Sequence, residues 1–346
     1  MQEFFKKTRD LISSIKKFEE RIRELALYLK ENLDFFEVVS KTKLDDLRVC
    51  GIDGGMVKRS FHGVDLILLR SVGIIFDFKD GKLTKVEYFP SPLPSPTPQI
   101  ILDPLSELDF ELEANIRRQT SEIDTALNCL KIFKPDILLL DGSIIPHYTF
   151  QPSKDSFVFE SYERMISKFN EFFGEALKSK TLIAGVIKDS RGKRFCDLAA
   201  NFLSEKLDVS LKTLLERIKD SHILSYILRP GEKTIAFDYS SDPSSNPTLK
   251  NFSVKNKIRS FYMRSGEFDR PIRVDFLEKR EGDDKRIASI ILSLIPDPEL
   301  GIPSVLIEAD QIARLRNEEI DVLHTELFSR LATFGLLKKR RDLRPF

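Results

Sequence analysis

Three cysteines and four histidines in 346 residues leave little material for disulfide or soft-metal chemistry. Cys50, Cys129 and Cys196 lie far apart in apolar surroundings and show no CxxC spacing, which argues against a disulfide framework and against a zinc ribbon. They read as reduced core residues of an intracellular protein. His62, His147, His222 and His324 lack metal-ligand spacing as well. Net charge is also missing: 55 basic and 54 acidic side chains nearly cancel, so any basic groove must be local. No hydrophobic run approaches the length of a membrane span, and the N-terminus is too charged for the apolar core of a signal peptide. The expected location is the cytoplasm. No internal repeat is visible, and no linker is long enough to require two independent domains.

What the chain does have is a 41% hydrophobic content, enough to bury a large core, and an alternation of apolar strands with helices. Leu11, Ile15, Phe18, Ile22, Leu25 and Leu29 recur three and four apart, predicting an N-terminal amphipathic helix packed either on its own domain or on a partner. "LRVCGIDGG" reads as a buried strand ending in a turn, and "GVDLILLRSVGIIFDFKDGKLTKVEYFP" as two strands about a KDG turn. "SPLPSPTP" is a stiff exposed connection. A helix from about Ser106 to Phe133 follows, with Ile116, Ile123, Leu127 and Leu130 on its packed side. Next comes "PDILLLDGS", a uniformly apolar strand of the kind covered on both faces, again stopping at Asp-Gly. A helix over 157–178, the strand "TLIAGVIKDS" and shorter helices come next. Region 233–276 is strand-rich, with the polar loop "DYSSDPSSNPT" in its middle, and reads as a surface insertion. The chain ends in helices, the last running to about Phe334. An α/β fold with a mixed sheet follows.

Two strands stopping at Asp-Gly, with a hairpin and a helix between them, would bring Asp53 and Asp141 to one crevice. Asp-Gly is also a common structural turn, so the pair carries more weight than either instance. Two close carboxylates repel unless a cation lies between them, and oxygen ligands suit Mg²⁺ or Mn²⁺. Two such ions would serve phosphodiester hydrolysis. Further carboxylates could come from Glu113 or Glu122 on the long helix and from Glu308 or Asp310 in "IEADQIARL". Lys58, Arg59, Arg191, Lys193 and Arg194 place cations near the same sheet end and suit a DNA backbone. Lys188 suits a phosphate or its transition state. His147 could approach the substrate, and Phe61, Tyr148 and Phe150 could stack on bases.

The order "GIDGG", hairpin, "RRQTSEIDTAL", "PDILLLDGS", "GVIKDS" and "IPSVLIEADQIARL" resembles the NurA nuclease family over about 45–315. That resemblance implies an RNase H-like core with a mixed central sheet flanked by helices, here with an N-terminal amphipathic helix and insertions. It implies a 5′ to 3′ exonuclease with single-strand endonuclease activity, dependent on Mn²⁺ with Mg²⁺ as the alternative, and two ions at the site. It further implies a homodimer working on DNA with a HerA-type hexameric ATPase in end resection and double-strand break repair. Carried over by position, the catalytic set is Asp53, Glu122, Asp141, Lys188 and Asp310, with the four carboxylates as metal ligands and Glu113 as fallback for Glu122. Two departures stand out: Gly55 replaces the serine of a common DGS motif, and Ile302 and Asp310 stand where some members carry tyrosine and histidine. The implied division is a helical region 1–44, a nuclease domain 45–336 and a basic tail 337–346. Two other classes fit less well. An actin-like phosphate-binding enzyme would need a Gly/Thr cluster after Asp53 and a duplicated lobe, and a non-catalytic translocase adaptor would not need both aspartates.

Overall fold

The computed structural model describes residues 1–297 and 300–331. The tail expected at 337–346 and the helix end expected at Phe334 lie outside the described residues. Helix α1 (Gln2–Asn32) and strand β1 (Phe36–Val38) precede three long strands, β2 (Leu47–Ser60), β3 (Val64–Lys79) and β4 (Lys82–Phe89), then β5 (Thr97–Leu102) and α2 (Glu107–Phe133). Strand β6 (Ile137–Asp141), α3 (Phe159–Lys178) and β7 (Leu182–Ile187) follow. Helices α4 (Arg194–Phe202), α5 (Val209–Arg217) and α6 (Asp220–Ile227) lead to β8 (Glu232–Thr234), β9 (Phe237–Asp238), β10 (Ile258–Met263) and β11 (Ile272–Leu277). Helices α7 (Asp283–Leu294), α8 (Ser304–Ala313) and α9 (Asn317–Leu331) close the described chain.

All described strands join one sheet in the order β1-β8-β10-β11-β7-β6-β2-β3-β4, with β5 on β3 and β9 on β10. Within it, β2, β3 and β4 are antiparallel neighbours, and β6 and β7 add in parallel beside β2. This order, β4-β3-β2-β6-β7, is the RNase H-like core that the resemblance implies. The hairpin forms where the sequence places it, with Asp80 and Gly81 both at positive φ. Helix α2 starts where Ser106 accepts a hydrogen bond from the Asp109 amide at 3.1 Å, and its four expected core residues are buried.

Period-2 alternation splits the core between the two sheet faces. Val49, Leu139, Ala184 and Val274 pack under α7 and α8, whereas Cys50, Ile52, Leu138 and Ile183 pack under α2 and α3. Much of the phenylalanine content is spent on the second face, where Phe169, Phe172, Phe173 and Phe252 form a ring cluster.

Four expectations change. Strand β2 does not stop at Asp53: it pairs with β3 from Leu47↔Phe78 to Ser60↔Asp65, so "DGG" is strand and not turn. The connection after β4 is shorter than "SPLPSPTP", because residues from Thr97 on pair with β3 and Pro94 is buried. The strands of 233–276 are no appendage: every residue of β11 is buried, and β11 extends the sheet from β7. Only the second half of the α1 seam is covered. Ile22, Leu25 and Leu29 are buried against α4–α6, whereas Leu11, Ile15 and Phe18 are exposed.

Candidate metal centre and cleft

The site begins with three glycines and an aspartate on β2. A Cβ on Gly51 would meet Val305 Cγ2 of α8 at 2.8 Å, and one on Gly55 would collide with the carbonyl oxygen of Ala313 at the same helix's end. Residues 51, 53 and 55 share a face, so α8 lies directly on the strand where side chains are missing, and Asp53 is the single side chain left between two glycines. Asp310, on α8 between Val305 and Ala313, is thereby brought down to Asp53. Asp141 points to the same face, since Ile137 and Leu139, four and two residues before it, pack there.

The outcome is a cluster in which carboxylate oxygens of Asp53, Asp141 and Asp310 all lie within 4.8 Å of one another. Strand β6 ends at Asp141, and Gly142, at φ +113°, turns the chain away with a conformation that favours glycine. Strand β2 runs on, and its ladder with β6 ends at the pair Ile52↔Leu140. The Gly54 amide donates to Asp53 Oδ1 at 2.7 Å. Burial raises the Asp53 pKa to about 6, with the Asp141 charge adding to the shift and Asp310 contributing less. Lys188, just past β7, is the counter-charge: its Nζ lies 2.7 Å from Asp141 Oδ2.

Glu122 stands apart from the cluster. It reaches the strand from the α2 side, where a Cβ on Gly54 would lie 2.6 Å from its Oε1. Arg118, one turn earlier, forms a close ion pair with it. Desolvation pushes Glu122 up to about 8 against the pull of Arg118, and the Asp53 and Asp141 charges push the same way. The other helical and late carboxylates are engaged elsewhere. Glu113 accepts from Arg117 at 2.6 Å and Ser161 at 2.9 Å, and Glu308 accepts from the Tyr88 hydroxyl at 2.9 Å. Of Glu113 and Glu122, Glu122 is the one that lies against β2, at Gly54.

A cleft of about 780 Å³ opens on the α2 side past the end of β6, bordered by Arg118, Glu122, Asp141, His147, Tyr148 and Arg191. Tyr148 is exposed at its mouth, 4.4 Å from the His147 ring. Phe61 is not there: it is buried and stacks on His324. The five cations expected to face DNA fare unequally. Lys58 pairs with Glu111 and Arg59 with Asp321, Lys193 donates to the Glu216 carbonyl, and Arg194 donates to the Asp238 carbonyl at 3.1 Å. Of the five, Arg191 lines the cleft.

Sequence reasoning missed the floor. Arg273 and Asp275 on β11 reach the cleft beside β7, with Arg273 Nε donating to Asp275 Oδ1 at 2.7 Å. Asp275 also accepts from Ser143 at 2.7 Å and Ser260 at 2.6 Å, which ties the turn after Asp141 to β10 and β11. An Arg-x-Asp alternation in a strand ordinarily marks a solvent face, so the signal pointed the wrong way.

Three carboxylates converging with no sulfur or imidazole among them form an all-oxygen donor set, which fits a hard divalent cation. An RNase H-like sheet carrying that set at the end of a central strand is the framework of a metal-using nuclease. Residues 47–315 match the NurA domain family, and the chain belongs to that family. Solved structures give the same fold. The NurA nuclease from Sulfolobus solfataricus is 18% identical and superposes with a TM-score of 0.58, covering 94% of this chain and 98% of its own. A NurA structure with manganese is 12% identical with a TM-score of 0.54, over 92% and 98% of the two chains. Another, bound to dAMP and manganese, is 11% identical with a TM-score of 0.54, over 99% and 98%. Among curated protein sequences, none matches this chain.

Proposed function

We propose that the protein is a divalent-metal-dependent DNA nuclease in which Asp53, Asp141 and Asp310 hold the cation. The observation that carries this reading is the convergence of those three carboxylates within 4.8 Å on one face of the sheet. Mn²⁺ is the favoured ion and Mg²⁺ the alternative; solved NurA structures with manganese support the choice. When bound, such an ion activates a water and neutralises charge on the scissile phosphate. The protein's own groups do the rest. Lys188, 2.7 Å from Asp141, is placed to meet phosphate charge once the cation takes up the aspartates. Arg118 is placed to exchange Glu122 for a phosphate oxygen, which would free the glutamate for a second ion. The cleft, with His147 and Tyr148 at its mouth, receives the strand.

Family membership extends the reading to a 5′ to 3′ exonuclease and single-strand endonuclease. On the same basis the enzyme works in the cytoplasm as a homodimer with a HerA-type hexameric ATPase, in end resection and break repair. Residues 45–336 form the nuclease domain in this reading. No helix among the described residues is long and apolar enough to cross a membrane.

The test is digestion of end-labelled single- and double-stranded DNA with Mn²⁺, Mg²⁺ or EDTA, beside Asp53→Ala and Asp141→Ala. Cleavage that needs the metal and vanishes in both variants, with their melting transitions retained, is the expected result. Full cleavage by either variant removes the aspartates from the reaction.

A further inference from the structure

A second cavity, of about 670 Å³, lies between α1 and α6, on the far side of the loop 188–192 from the acidic cleft. The two spaces share Asp189, Ser190, Arg191 and Lys219 as a common wall, so they adjoin across that loop. Arg270, from the turn before β11, joins Arg191, Lys219 and the Asp141-paired Lys188 in the far chamber. Arg191, Lys219 and Arg270 are all exposed, and among the described residues none of the three is in an ion pair. That separates them from Lys58 and Arg59, whose charges are already matched within the fold. Of the two acids in the chamber, Glu19 is occupied by Tyr226 at 2.5 Å and His222 at 3.1 Å. Asp189 is the other, and the three free cations outnumber it.

The wall is held from beneath by buried polar groups. Ser190 Oγ meets the Tyr262 hydroxyl at 3.0 Å, and Ser221 Oγ donates to the Ser190 carbonyl at 2.9 Å. The Asp220 amide donates to the Gly192 carbonyl at 3.0 Å, while its carboxylate accepts from the Tyr262 hydroxyl at 3.1 Å and from the amides of Phe195 and Cys196 at 3.0 and 2.9 Å. Asp220 is fully buried. Fixing both Ser190 and Asp220 fixes the spacing of Lys188, Arg191 and Lys219. A solubilising loop needs no such support, whereas a ladder of phosphate contacts does.

We propose that this chamber is a second nucleotide subsite: a single strand whose scissile phosphate sits at the acidic cleft continues over the 188–192 wall, and its next phosphates are held by Arg191, Lys219 and Arg270. The proposal rests on the nuclease reading for the direction of the strand, but not for the binding itself. Cavities of a few hundred Å³ enclose a ligand of roughly one or two nucleotides and exclude a duplex, so the ligand is single-stranded. The His222 and Tyr226 rings, with centroids 6.1 Å apart on the chamber wall, supply flat surfaces for a base.

The experiment is fluorescence anisotropy with a labelled oligothymidylate of about 12 nucleotides, a length within the span of known single-strand sites, titrated over a range of salt in EDTA. The protein is the full chain, as parent and as Lys219→Ala/Arg270→Ala, with Lys85→Ala on β4 as a remote charge control. Each phosphate deprived of its cation should lower the slope of log K against log salt by about 0.7, so the double variant should lose about 1.4 of slope and roughly tenfold in affinity at low salt. Lys219→Arg/Arg270→Lys should retain both. An unchanged slope in the double alanine variant overturns the subsite, and so does an equal loss in Lys85→Ala, which would make the effect one of net charge. Cleavage by the parent in Mn²⁺ is read separately. A parent that binds as expected but never cleaves would overturn the nuclease reading and leave the subsite; a parent that cleaves while the variant's slope is unchanged would do the reverse.

Discussion

Asp310→Asn removes one of three like charges from the cluster without removing its bulk, and the structure gives the sign of the effect in both metal states. Without a cation, carboxylate oxygens within 4.8 Å repel by about 3.5 kcal/mol per pair at an effective dielectric of about 20, and by about 0.9 kcal/mol in bulk water. Asp310 is exposed, so the lower figure is the better guide, and the attraction of Lys188 offsets part of it. The metal-free variant should therefore gain roughly 1 kcal/mol, a rise of about 2 °C in melting temperature for a chain of this size. With Mn²⁺ at 100 times its dissociation constant, the parent should gain about 2.7 kcal/mol and overtake the variant, which has lost a ligand. Differential scanning calorimetry in EDTA and across a Mn²⁺ series reads both halves. A variant that melts below the parent in EDTA, or that keeps the parent's full response to Mn²⁺, would refute the claim that Asp310 belongs to the cluster.

The remaining predictions concern the strand, the titrating groups and the floor. Gly55→Ala drives a methyl group into the Ala313 carbonyl, a backbone atom that cannot rotate away, and should cost about 1–3 kcal/mol in urea unfolding together with most of the Mn²⁺ response. Because Asp53 must ionise to take a cation and its pKa lies near 6, Mn²⁺ affinity should climb as pH rises through that value; calorimetric titration in buffers of different ionisation heat should detect the released proton. Glu122 is held near 8 against an ordinary 4.5, so the unfolded chain gives up this proton first. Metal-free stability should then fall between pH 4.5 and 8, and Glu122→Gln should flatten that fall; a denaturation series that declines equally in both proteins would contradict it. Arg273→Met strips the partner from the buried Asp275 and should cost about 3–5 kcal/mol in equilibrium unfolding, with Asp275→Asn partly restoring the double variant.

Much of the framework was legible in the residues. Uniformly apolar "ILLL" marked a central strand, KDG marked a hairpin, and the three-and-four spacing of Ile116, Ile123, Leu127 and Leu130 marked the buried side of α2. What could not be read was why the glycines after the two aspartates are there. Gly142 serves a turn and sits at positive φ, whereas Gly54 and Gly55 serve close approach inside a strand. Both demands select glycine, so the same dipeptide reads alike until the helix that crosses it is known. The cations raise the same difficulty. Lys58 and Arg191 look equivalent along the chain, and only their neighbours, Glu111 for one and open cleft for the other, tell them apart.

That distinction bears on how the site tolerates its own charge. Three aspartates meet on the α8 face because residues 51 and 55 have no side chain, while Glu122 is kept on the α2 face by Arg118 and meets the strand at Gly54. The sheet backbone therefore separates the fourth carboxylate from the other three, and Asp141, at the end of β6, is the one of the three that also borders the cleft on the α2 side. A substrate phosphate entering from the cleft meets Arg118, which balances Glu122, while Lys188, which balances Asp141, stands on the wall of the neighbouring chamber. Drawing either cation onto the phosphate uncovers a carboxylate and strengthens the site's hold on a divalent ion. Linkage then requires the reverse: the ion must tighten strand binding at the cleft by the same factor. Comparing oligothymidylate affinity in EDTA and in Ca²⁺ for Arg118→Gln against the parent tests this, since the coupling should shrink when Arg118 can no longer change partners.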